Sequence, residues 1–193
     1  MKTTKKALLA LVCAAALVFG SVFATYAYLT SEASVTNTFT VGKVEITLDE
    51  TDVDAYGVKD GESRVIKNDY KLIPGKTYVK DPIVHVTAGS EKCYVFVKVA
   101  DGIAAIEDAT TIANQMTAKG WTEIKDGVYY YKDTVDASKS ETDIDVPVFD
   151  NFKVKGEADV AQYNGKTVTV TAYAVQADGF ADAVAAWNAT FGK

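Results

Sequence analysis

Hydrophobic and polar residues alternate with a period of two in several parts of this chain, and the alternation predicts strands buried on one face. Val44, Ile46 and Leu48 fall on one side of a run whose other side carries Lys43, Glu45, Thr47 and Asp49. Ile83 to Ala88 and Lys92 to Ala100 flank the turn residues Gly89 and Ser90, a spacing that predicts a hairpin. In the second of these runs Val95, Val97 and Val99 oppose Tyr94 and Phe96, so both faces are apolar and the strand is expected to be central. Val128 to Lys132, Val146 to Phe149, Phe152 to Lys155 and Thr167 to Gln176 add further strands, and Pro74, Pro82 and Pro147 fall at expected strand entrances. Two segments change to helical spacing. Ala109 to Lys119 has Asp108 as a candidate N-cap and Gly120 as a stop, with Ile112 and Met116 as its apolar face. Phe180, Val184, Trp187 and Phe191 form one stripe near the end. Many strands and one or two short helices predict an all-β fold, a two-sheet jelly roll or β-sandwich.

The first residues follow a different pattern. Lys2, Lys5 and Lys6 precede Ala7 to Phe23, an almost unbroken apolar stretch without charge, and Thr25 and Ala27 supply small residues where a signal peptidase reads. Residues 1–27 are therefore expected to be a signal peptide cut between Ala27 and Tyr28; a membrane anchor competes, since the apolar run is long enough to cross a bilayer of ~30 Å. Removal would leave residues 28–40 as a polar arm and 41–193 as one domain with a core of its own. Of the 20 Lys and Arg three lie in the signal, so 17 remain against 26 Asp and Glu, a formal charge of −9. Such a surface repels nucleic acid and anionic lipid. Only Cys93 would remain beyond the signal, so packing rather than an intrachain disulfide must hold the fold. In an apolar strand it reads as a buried thiol, with an intermolecular bridge as the alternative.

Candidate chemistry is sparse. The chain has one histidine, His85, and no H-E-x-x-H, whereas catalytic zinc normally takes three protein ligands. With a two-residue turn at Gly89 and Ser90, His85 would lie opposite Tyr94 and on a different face from Cys93, which disfavours a Cys-His pair. Asp49, Glu50, Asp52 and Asp54 could collect calcium, but they lack the spacing and glycine of an EF-hand loop and read as a solvated charged loop. No other cofactor is expected. Tyr129, Tyr130 and Tyr131 could stack sugars, yet alternation sends the middle ring to the opposite face and suits a strand packed on both sides.

Tyr28 to Leu48, YLTSEASVTNTFTVGKVEITL, resembles the mature N-terminus of the TasA and camelysin family, secreted proteins of Gram-positive bacteria exported through a dedicated signal peptidase. The shared pattern is an aromatic after the cut, a Ser/Thr/Asn stretch, Thr38-Phe39, Gly42 and an alternating strand. Leu72 to Val86, Ser90 to Val99 and the closing TVTVTAYAVQADGF with Trp187 are similar to later parts of that family, while Ser63 to Tyr70 and Glu123 to Asp150 carry no such signal. The resemblance implies a jelly roll and a non-enzymatic role as a biofilm-matrix protein that assembles into fibres, alone or with an accessory matrix protein. It also implies donor-strand complementation, in which the arm Tyr28, Leu29, Thr30, Ser31, Glu32, Ala33, Ser34, Val35, Thr36, Asn37 and Thr38 of one copy completes a sheet of the next. From composition alone the same arm reads as an ordinary disordered terminus. The alternatives from other classes are a camelysin-like secreted metallopeptidase and a monomeric surface-binding module.

Overall fold

A computed structural model of the protein describes residues 42–192, which lie within one compact unit, Val41–Lys193. The expected cleavage site at Ala27 and Tyr28 and the arm Tyr28 to Thr38 lie outside the described residues.

The described residues are mainly strand, arranged in antiparallel sheets. In the first sheet β1 (Ile46–Val53) runs between β2 (Lys59–Val65) and β4 (Ile83–Val86), and β4 carries β8 (Ile144–Pro147) on its other side. In the second, β5 (Cys93–Asp101) runs between β10 (Val168–Gln176) and β7 (Val128–Tyr131), and β7 pairs with β6 (Trp121–Lys125). A short ribbon joins β3 (Thr77–Val79) to β9 (Asn151–Lys153). Helix α1 (Ile112–Ala118) lies beside β6, and α2 (Ala183–Thr190) lies beside β10.

Alternation decides which residues meet. Val84 and Val86 of β4 and Val95, Val97 and Val99 of β5 are buried in one cluster, so the two sheets share a core filled by Trp121, Phe149 and Phe152. The Trp121 indole N–H donates to the Pro147 carbonyl at 3.0 Å and ties an edge of each sheet to the other. β5 is central, as its two apolar faces predict: Phe96 points outward and meets Trp187 of α2 with ring centroids 5.2 Å apart. Tyr129 and Tyr131 pack on the inner core and Tyr130 on the outer cluster. The β6–β7 turn is Asp126-Gly127, with φ of 51° and 75°, the two positive values that a tight hairpin turn demands.

Several sequence expectations are corrected. Ile83 to Ala88 and Lys92 to Ala100 do not form a hairpin, because β4 and β5 belong to different sheets. The connection between them is a corner held by other segments: Gly89 N–H donates to Ala137 O, Glu91 N–H to Lys43 O, and Ser90 Oγ accepts from Glu45 N–H. His85 accordingly opposes Thr47 and Asp145 rather than Tyr94. The acidic run is no solvated loop; Asp49, Glu50 and Asp52 lie in β1, and Asp54 closes a turn by accepting from Tyr56 and Val58 N–H groups. Pro147 ends an edge strand instead of opening one, where its missing N–H breaks no ladder. The first helix is capped by Thr111, whose hydroxyl accepts from Asn114 N–H at 3.1 Å, while Asp108 pairs with Lys153. The second starts after Asp182, and Ala183, Ala186 and Trp187 are buried there while Val184 is exposed.

Candidate functional site

The four edges of the two main sheets differ in chemistry. β2 carries Lys59, Asp60, Glu62 and Arg64; β8 carries Asp145 and Pro147; β6 carries Glu123 and Lys125 with an irregular register between them. Charges, proline and bulges of this kind deter the addition of a further strand. β10, Val-Thr-Val-Thr-Ala-Tyr-Ala-Val-Gln, has none of them.

The direction of the β10 backbone follows from its register. Val168 to Gln176 pair in unbroken order with Asp101 to Cys93, and just past the two ends Gly102 N–H donates to Thr167 O at 2.9 Å and Ala177 N–H to Lys92 O at 2.8 Å. Antiparallel partners alternate between hydrogen-bonded and non-hydrogen-bonded pairs. The odd-numbered residues from Thr167 to Ala177 therefore turn their backbone groups toward β5. Val168, Val170, Ala172, Ala174 and Gln176 turn theirs away from it, where no strand pairs with them among the described residues. The side chains of Val168, Val170, Ala172 and Ala174 pack on the main core yet stay only partly buried.

The facing sheet has a matching gap. Thr87 N–H donates to Glu45 O, Thr47 pairs with His85 and Asp49 with Ile83, so Ile46 and Leu48 direct their backbone groups to the other side. There β2 begins to pair only at Glu50, and Ile46 and Leu48 are half-buried like their counterparts in β10. Between the sheets on this side opens a cleft of about 1090 Å³. Leu48, Leu72, Ile103, Phe152, Val168 and Val170 give it an apolar lining; Lys67, Lys71 and Lys166 stand along it, and Ile66 is 91% exposed.

A polar cluster sits in the wall of this cleft. Glu50 Oε2 accepts from Lys80 Nζ at 2.6 Å, and Glu50 Oε1 accepts from Asn68 Nδ2 at 3.0 Å. Glu50 and Lys80 are 5% and 9% exposed. Asn68 also donates to Thr51 O at 2.8 Å, and its Oδ1 accepts from Val53 N–H at 3.1 Å. The Tyr70 ring lies 5.9 Å from Lys80 Nζ, and burial together with the negative charges of Glu50 and Asp81 raises the Tyr70 pKa.

The other predicted residues lie elsewhere. His85 is on the outer face of the first sheet, with Nδ1 2.6 Å from Asp145 and Nε2 3.0 Å from Asp49, which also receives Arg64 Nε at 2.5 Å. Burial works against a charged imidazole, but the hydrogen bonds and charges of Asp49 and Asp145 outweigh it and raise the His85 pKa. Cys93 is fully buried in the other sheet, and burial, with the charge of Asp136, pushes its thiol up to about 11. The two are not brought together. Among the described residues no group of three or more His, Cys, Asp or Glu side chains is arranged to hold a metal ion. Buried Glu107 accepts from Ile112 N–H beside Asp101; burial first, then the Asp101 charge, pushes its carboxyl up to about 7.

No family model matches this chain, and no curated protein or solved structure matches it either. What the cleft can do follows from its edges and lining. An edge of nine residues, unpaired on its outer side among the described residues, would seat an added strand of roughly 30 Å at about 3.3 Å per residue. This edge is not visible in the pattern of any single strand, because it depends on which strands pair. Nor does a local pattern single out Lys80 or Asn68, although parity with Leu48 puts Glu50 on the core side of β1.

Proposed function

We propose that this chain is a structural protein whose copies join when an extended segment of one inserts beside β10 of the next. The observation that carries this reading is the charge-free edge of β10 above a half-buried apolar cleft, while the other edges of the two main sheets carry charge, proline or bulges. Backbone hydrogen bonds would supply affinity, and Leu29, Ala33 and Val35, which share one parity of the arm, would turn to the core. The donor in this reading is Tyr28 to Thr38 of a neighbouring copy, set free by a signal peptidase between Ala27 and Tyr28. The resemblance of Tyr28 to Leu48 to the TasA and camelysin family supports the same conclusion, a secreted jelly roll of the biofilm matrix or cell surface that forms fibres. A formal charge of −9 on residues 28–193 would keep single copies soluble until a donor strand enters.

Deleting residues 28–38 tests this. The variant is expected to keep a β-rich circular dichroism spectrum and to form no filaments in electron microscopy, because β10 would stay without its added partner. Filaments of normal length and number from the deletion protein would overturn the proposal.

A further inference from the structure

The Glu50, Lys80 and Asn68 cluster has a different chemistry from the rest of the cleft. We propose that Lys80 and Asn68 become joined by an intramolecular isopeptide bond that the chain forms itself, with Glu50 relaying the protons. One carboxylate bridges the two nitrogens concerned, Lys80 Nζ at 2.6 Å on Oε2 and Asn68 Nδ2 at 3.0 Å on Oε1, so nucleophile and leaving group meet at a single acid-base group. The Asn68 carboxamide is held in one orientation, since Nδ2 faces two acceptors, Glu50 and Thr51 O, while Oδ1 accepts from Val53 N–H at 3.1 Å. That N–H polarises the carbonyl and would stabilise the oxyanion formed on attack. Water is largely kept from the Glu50 and Lys80 pair, while Asn68 is half-buried at the cleft wall. Glu50 and Lys80 are nearly buried, and Tyr70 covers the amine while packing edge-on against Tyr78 and Phe152.

The balance of the step is complete within the cluster. Glu50 takes one proton from the Lys80 ammonium, and the amine attacks Asn68 Cγ to give a tetrahedral oxyanion beside Val53 N–H. Glu50 passes that proton to Nδ2 and receives a second from the attacking nitrogen. The C–Nδ2 bond breaks as the carbonyl reforms, and ammonia leaves, carrying the second proton away as ammonium. One C–N bond forms and one breaks, and no oxidant, metal or cofactor enters. The product ties the segment following β2 to the residue after β3, across β1 and along the wall of the cleft. It does not depend on the assembly proposal.

Tryptic mapping of the purified full-length chain by tandem mass spectrometry decides the matter. Trypsin does not cut after an acylated lysine, so the expected product is a branched species in which Asn68 to Lys71 is linked to Thr77 to Lys92, uncut at Lys80, at the summed mass less one ammonia. Glu50→Gln is expected to abolish the branch. Recovery of Asn68 to Lys71 and Thr77 to Lys80 as separate, unmodified peptides from the natural chain would overturn the proposal, whatever the variant does. Loss of ammonia confined to Asn68 to Lys71, with Lys80 still cut, would mean a succinimide at Asn68 and would overturn it equally. A full yield of branched peptide from Glu50→Gln would remove Glu50 from the reaction.

Discussion

Ala172 lies at the middle of the outer edge of β10, and its N–H and C=O point away from β5. Replacing it with proline removes a donor that serves no bond within the described residues, while an edge strand tolerates the fixed φ of about −65°. The folded subunit should change little. A strand docked beside β10, however, would find one of its carbonyls unpaired at the centre of the ladder, a loss of about 1–3 kcal/mol. At 1.4 kcal/mol per tenfold, that raises the concentration needed for assembly by about five- to 150-fold. Thr171→Pro is the matched control, since the Thr171 N–H faces Lys98 of β5 and its loss breaks a bond inside the sheet. Ala172→Pro is therefore expected to melt within a few degrees of the natural protein and to assemble far less readily, whereas Thr171→Pro should lose fold stability itself. Thermal melts by circular dichroism and light scattering across a concentration series measure the two effects. Equal assembly thresholds for Ala172→Pro and the natural chain would refute β10 as the acceptor edge.

Three further outcomes test the packing and charge arguments. The His85 pKa is raised on folding, so its stabilisation is fully present below the unfolded value and is lost as pH rises through the folded one. His85→Gln should cost about 1–2 kcal/mol in urea unfolding at about pH 5.5 and clearly less at about pH 9; equal losses would contradict the Asp49 and Asp145 pairing. Glu107 is also raised, up to about 7, so its contribution is present below the ordinary 4.5 and is lost as pH rises through about 7. Glu107→Gln should accordingly raise stability by about 1–3 kcal/mol at about pH 8, since Ile112 N–H keeps an acceptor, and should change little below about pH 4.5; no gain in melting temperature at the higher pH would count against a strained charge there. Gly57 has φ of +71°, and a Cβ there would stand 2.8 Å from Tyr78 Cα, so Gly57→Ala should lower stability by about 1–3 kcal/mol, and an unchanged melt would contradict the close approach.

Period-two alternation made most strands legible: Val95, Val97 and Val99 against Tyr94 and Phe96 identified β5 as central, and Tyr129 to Tyr131 divided between the faces as alternation requires. β2 and β6 were not legible. Polar edge strands such as Lys59 to Val65 bury little and so carry no hydrophobic period. Proximity in sequence does not imply pairing: the strands on either side of Gly89 and Ser90 belong to different sheets. A local pattern reports which side of a strand is apolar but not which sheet receives it, because that depends on contacts with residues as distant as Ala137. The same limit applies to the cleft. Val168 to Gln176 reads as an ordinary strand, and only the register with β5 reveals that its even-numbered backbone groups face outward beside the gap above Ile46 and Leu48. Glu50, Lys80 and Asn68 are separated along the chain and meet only because β1, the segment after β2 and the end of β3 converge on one wall. Alternation is a property of neighbouring residues and survives in the sequence, whereas edges, clefts and bridged side chains arise from long-range pairing, which the chain acquires only when its core closes.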